Sequence, residues 1–111
     1  METKCIFNAT KKDIFNAKSA SIAVRDILGE TVNVTGCFVA VNEGVRKVTG
    51  EPCDIGYLIT DRGVVGFSSE VALKAMESFA EYLADSAPES VSVVFTEHKG
   101  TNGMFYRFEI V

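Results

Sequence analysis

Few side chains in this chain of 111 residues could do covalent chemistry, and they are scattered. His98 is the one histidine, and no serine or cysteine motif is directed at it, so a nucleophile with its base is not in prospect. Cys5, Cys37 and Cys53 are odd in number and widely spaced, without a CxxC pair. That excludes the usual zinc and thioredoxin-like patterns and predicts buried, reduced thiols. Glu43, Glu51, Asp54 and Asp61 fall at expected strand ends and turns, where carboxylates serve local hydrogen bonds, so no metal site is expected. Gly44, Gly50, Gly56, Gly63 and Gly66 fit neither the dinucleotide nor the P-loop spacing. No cofactor and no enzymatic activity are expected.

Binding chemistry is what remains. Proteins that hold single-stranded nucleic acid combine a cationic groove with aromatic rings on which bases stack. Arg46, Lys47, Arg62, Lys99 and Arg107 are candidates for neutralising phosphates, and Tyr57, Phe67 and Phe105 for stacking. With about four of the cations engaged, the salt slope of binding should be near −3, at roughly −0.7 per phosphate. On the last strand, Met104, Tyr106, Phe108 and Ile110 share one parity and read as core. Phe105, Arg107, Glu109 and Val111 share the other, which leaves Phe105 and Arg107 on the wetter side.

The elements that must position these groups are legible from Thr31 onward. "TVNVTGCFVAV" (31–41) is rich in β-branched residues, and Gly36 within it predicts a bend or bulge. "NEGVRKVTGEP" reads as a loop, "CDIGYLIT" as a second strand, and "DRG" as a tight turn into a third strand, "VVGF". "SSEVALKAMESFAEYLADSAP" is the clearest helix. Ser68 or Ser69 can cap it, Ala72, Met76, Phe79 and Leu83 form its apolar stripe, and Pro88 stands beyond its end. "SVSVVFTEH" and "GMFYRFEIV" are the last two strands, with Asn102–Gly103 favouring a tight hairpin between them.

The first thirty residues are less clear. "IFNA" occurs at 6–9 and again at 14–17, too few copies for a repeat architecture. "NAKSASIAVRDILG" predicts a short helix capped by Asn16 or Ser19 and stopped at Gly29. Residues 1–17 are set apart as an N-terminal arm, with a flexible arm, an added strand and a dimer contact all open for it, and 18–111 form one domain.

Three strands, a helix and two strands is the order of the OB fold, a five-stranded Greek-key barrel. The expected class is therefore mainly β with one long helix (α+β), OB-like, with the helix between strands three and four and a short N-terminal helix. An α+β sandwich is the competitor. An OB fold grips oligonucleotides on strands two and three between two loops, and in this chain those loops hold Arg46 and Lys47, and His98 and Lys99.

Composition is that of a globular domain, with 47% apolar and 23% charged residues. No run is long and apolar enough for a membrane span, and the N-terminus lacks a signal-peptide pattern, so a cytoplasmic protein is expected. The net charge is −4, yet Glu70, Glu77, Glu81 and Asp85 against Lys74 alone put most of it on the long helix. The other elements are free to carry basic patches.

The chain resembles the small single-stranded DNA-binding proteins of tailed phages, in particular those of Bacillus phages with protein-primed replication. The resemblance rests on "IFNA", "LGETVNVTG", "YLITDRGVVGFSSEVALKAMESFAEYL" and "VSVVFTEHKGTNGMFYRFEIV", and covers Ile14 to Val111. Relatives often place a tyrosine where Val64 or Val65 stands here, with Phe67 the nearest substitute. There is no counterpart of the acidic tail by which bacterial proteins of similar function recruit partners. The resemblance implies a protein that coats and protects single strands during phage DNA replication, in the host cytoplasm. The alternative is a β-rich interaction module that forms a homo-oligomer through its last strand and does not bind nucleic acid.

Overall fold

A computed structural model describes residues 2–86, 90–101 and 103–111. Pro88 and Asn102, expected to follow the long helix and to shape the last turn, lie outside the described residues. The elements are β1 (Thr3–Phe7), α1 (Lys11–Ala20), β2 (Ile22–Ala23), a 3-10 turn (Val24–Asp26), β3 (Thr31–Val45), β4 (Pro52–Thr60), β5 (Gly63–Phe67), α2 (Glu70–Ser86), β6 (Val91–Gly100) and β7 (Gly103–Ile110). The fold is mainly β: a curled, mixed sheet forming a half-barrel, with two helices. Strand order is β2-β5-β4-β3-β6-β7, with β2 parallel to β5 and the other neighbours antiparallel.

β3 is the axis of this sheet. One edge pairs with β4 along most of its length. The other edge is shared: Thr31–Val34 pair with β6, and Cys37–Ala40 pair with β1. Serving two neighbours requires a bend, and the register against β4 shifts between Val34 and Gly36. The end of β1 crosses the chain there so closely that a Cβ on Gly36 would lie 2.7 Å from the Asn8 carbonyl oxygen. Gly36 is thus a point of backbone contact as well as a bend. A second shift, between Ala40 and Gly44, coincides with Asn42 at φ 57°, its N–H donating to Asp54 at 3.0 Å.

Both faces of the sheet are covered. Val32, Val34, Cys37, Val39, Leu58, Val65, Phe67, Val93 and Phe95 face α2, which supplies Ala72, Met76, Phe79 and Leu83, the stripe expected from its spacing. Phe38, Ala40 and Tyr57 point the other way and pack with Ala17 of α1. The unbroken buried run from Gly36 to Ala40 is what burial on both faces demands.

The N-terminal third differs from the sequence expectation. The helix begins at Lys11, well before the expected start. Thr10 caps it, and Thr10 and Asp13 form a reciprocal capping box that outweighs Asn16 and Ser19. It ends at Ala20 because Ile22–Ala23 join the sheet beside β5. Residues 3–7, within the N-terminal segment, are an added strand of the sheet, one of the roles open to it. No helix among the described residues is long and apolar enough to cross a membrane.

Candidate nucleic-acid interface

Two hairpins extend past the body of the sheet. One is the β3–β4 arm, where Val45 pairs with Pro52 and the Arg46 N–H donates to the Glu51 carbonyl at 2.9 Å. The other is the β6–β7 arm, closing through Gly100 opposite Gly103. Between them, floored by the β5–α2 turn, lies an open cleft of about 1430 Å³. Arg46, Lys47 and Val48 line it from one arm and Met104, Phe105 and Tyr106 from the other. Its apolar rim is unusually bare: Val48 is 98% exposed and Met104 57%.

Of the three rings expected to stack on bases, Phe105 is the one on this wall with exposed surface. It sits opposite His98 in the β6–β7 register, the two rings 5.5 Å apart at 19°. The imidazole Nε2 is in turn 2.7 Å from Thr96 Oγ1, so His98 is held in the strand and is not a free loop residue.

Tyr57 and Phe67 are placed otherwise than expected. Tyr57 is 6% exposed, stacked on Phe38 at 4.9 Å beneath α1, and burial pushes its hydroxyl pKa up. Phe67 is 5% exposed and packs against Phe95 and Phe108. Each ring also fills the space over a glycine across the β4–β5 ladder, Tyr57 over Gly66 and Phe67 over Gly56. Tyr57 has protein on both sides, and Phe67 borders the cleft with only that 5% of its surface, too little for a base to stack on. The cause is coverage of both sheet surfaces, one by α1 and one by α2.

The five cations divide by what already holds them. Arg46 donates to the Ser68 carbonyl at 2.7 Å and lies 3.6 Å from Glu70, which fastens the β3–β4 arm to the start of α2. Arg62 is bonded to Glu30 at 2.7 Å, which holds its guanidinium pKa above the ordinary value. Lys47, Lys99 and Arg107 are exposed and make no ion pair among the described residues. Arg107 shares the outward side of β7 with Phe105, opposite Thr96.

Acids temper the cleft. Glu51, Asp54 and Glu70 line it beside Arg25, Arg46 and Lys47. Asp54 is held below the usual carboxylate range, first by the Asn42 N–H and then by Lys4 at 3.1 Å. Arg25, in the 3-10 turn, was not among the expected cations; its place on the wall follows from the early end of α1, which the sequence pattern concealed. No group of three or more metal-ligating side chains comes together among the described residues. Compared with protein-family models, with curated proteins and with solved structures, the chain has no significant match in any of the three.

Proposed function

We propose that the protein binds single-stranded DNA without sequence preference, using an OB-like grip, and coats and protects exposed strands during phage DNA replication. One observation carries the reading: the partly buried ring of Phe105 stands on the wall of an open cleft between two hairpin arms bearing exposed cations. Phe105 is the stacking residue, and Lys47, Lys99 and Arg107 neutralise phosphates. Arg46 holds the β3–β4 arm against the start of α2, and Arg62, paired with Glu30 away from the cleft, takes no part. The role is binding, with no catalytic step.

The test is fluorescence anisotropy of a labelled oligo-dT titrated with protein at low and moderate salt, with duplex of equal length as control. Salt-sensitive binding to the single strand alone supports the reading. Absence of binding at low salt overturns it.

A second reading has its own observation. β7 hydrogen-bonds to β6 alone among the described strands, and Ile110 and Val111 are exposed beside that edge. Such an edge can pair with a second copy of the chain. One outward carbonyl, that of Tyr106, is already taken by the Ser69 hydroxyl at 2.9 Å, which limits the length available. Concentration-dependent dimerisation without affinity for oligo-dT would favour this reading.

A further inference from the structure

The most exposed aromatic ring of the protein lies outside the cleft. Phe15 of α1 is 76% exposed, and it borders a shallow recess shared with Lys11, Ile14 and Lys18. On a helix, residues three and four positions apart are neighbours, so Lys11, Lys12 and Lys18 ring Phe15 on both sides. Lys18 is tied to Glu43 at 2.7 Å, while Lys11 and Lys12 make no ion pair among the described residues. The acid of this helix, Asp13, is occupied by Thr10 in the capping box. The patch is therefore cationic around one bare ring.

Nothing in the fold requires this arrangement. Two lysines in a first turn oppose the helix dipole, which favours anions there. A large exposed ring gives the helix no packing, because its contact with the sheet is made by Ala17 and Ile14. Local rules broken without structural return point to a binding role.

We infer that Phe15, with Lys11 and Lys12, is a second contact for a single DNA strand: one base stacks on the ring and flanking phosphates meet the ammonium groups. The inference rests on the single-strand reading above and extends it beyond the cleft. The Lys18–Glu43 pair joins α1 to the root of the β3–β4 arm, whose far end lines the cleft, so the patch and the cleft lie on one connected unit. An anionic membrane surface fits less well, since an interfacial helix needs a broad apolar face and α1 offers one exposed ring.

The chain has no tryptophan, so Phe15→Trp places a single indole at the site. That variant and Phe15→Ala are titrated with oligo-dT of about 6 and about 30 nucleotides, spanning the site sizes usual for such folds. The expected result is indole quenching by the long oligomer but not the short one. Phe15→Ala should bind the long oligomer roughly tenfold more weakly and the short one as wild type does. Full anisotropy binding with no quenching, and no change in Phe15→Ala, overturns the second contact and leaves the cleft reading intact. A wild type that binds neither oligomer overturns both. Indole response to anionic phosphatidylserine vesicles, with none to oligo-dT, assigns the patch to lipid and also overturns it.

Discussion

Phe7 and Phe15 hold the same place in two copies of the tetrapeptide Ile-Phe-Asn-Ala, yet Phe7 packs against the core beneath α2 while Phe15 stands in solvent. One copy ends a strand, and the other lies in a helix. The tetrapeptide itself does not decide the conformation of either copy: the second is helical behind the Thr10–Asp13 capping box, and the first pairs with β3. Phe7→Ala should lower unfolding free energy by about 2–4 kcal/mol, somewhat under the cost of a fully buried ring. Phe15→Ala should stay within about 0.5 kcal/mol of wild type. Urea titration of both variants checks the pair, and equal costs would contradict the placement of α1.

Glycines 36 and 56 should resist even a methyl group. A Cβ at Gly36 meets a backbone carbonyl, and one at Gly56 would run into the Phe67 ring, itself packed among other aromatics. Gly36→Ala and Gly56→Ala should each cost about 1–3 kcal/mol by overpacking, seen as a lower melting temperature. Gly50→Ala faces no neighbour but stands at φ 73°, and should cost less than Gly36→Ala.

For short oligo-dT, three unpaired cations imply a log–log salt slope of about −2, at roughly −0.7 per phosphate, less than the −3 anticipated from composition. Lys99→Ala should flatten that slope by about 0.7. Phe105→Ala should weaken binding by ~1–3 kcal/mol with the slope unchanged. Arg62→Ala should bind as wild type, because Glu30 already holds that guanidinium. A large loss in Arg62→Ala would move the site to the opposite end of β4.

Burial pushes the Cys37 thiol up to about 12, and its Sγ sits 3.4 Å from the Cys5 carbonyl oxygen. At about pH 8, where an ordinary thiol begins to ionise, iodoacetamide should spare Cys37 in the folded protein and label it in urea. Mass spectrometry of the digested protein reads this directly. Rapid native labelling of Cys37 would mean that β1 lifts from β3.

Asp54 and Asp61 are both held below the ordinary carboxylate value in the fold, Asp54 chiefly by the Asn42 N–H and Asp61 chiefly by the Asn33 N–H. The folded state binds these protons less readily than the unfolded chain. Their contribution is thus complete above about pH 4, the ordinary range, and is lost as pH falls through the lower folded values. The melting temperature of wild type should drop on acidification below that range, and the double variant Asp54→Asn, Asp61→Asn should show a shallower acid limb. Superimposable limbs would remove both carboxylates from the acid response.

Legibility in the sequence followed the strength of local pattern. Strands β4 to β7 and helix α2 largely follow the β-branched runs and the Ala72–Leu83 stripe, because there periodicity and tertiary burial agree, whereas β3 runs on to Val45 through the first residues of the expected loop. Helix α1 lacked such a stripe: its exposed Phe15 and first-turn lysines break the pattern, and Thr10 with Asp13 was the available signal. Strand alternation placed Tyr106 and Phe108 against the core, as they are, but it also read Met104 and Ile110 as core, and these are 57% and 42% exposed near the two ends of β7. It could not reveal that the sheet is covered on both sides, so Tyr57 and Phe67, on opposite faces of the β4–β5 ladder, were both read as reachable. The continuous apolar run Cys37–Ala40 carried that information.

The shared edge of β3 has a consequence for how the chain is made. As a ribosome delivers it, β1, β3, β4 and β5 emerge first and can zip together, but Thr31–Val34 must wait for Val91–Val94. Until α2 has followed, the nascent chain carries an unpaired strand segment and a bare apolar surface side by side, and the strand segment stays unpaired until β6 is out. That interval is the moment of greatest stickiness in its synthesis. Slow codons across α2 would lengthen it, and fast ones would let the last hairpin shut the gap before a neighbouring chain finds it.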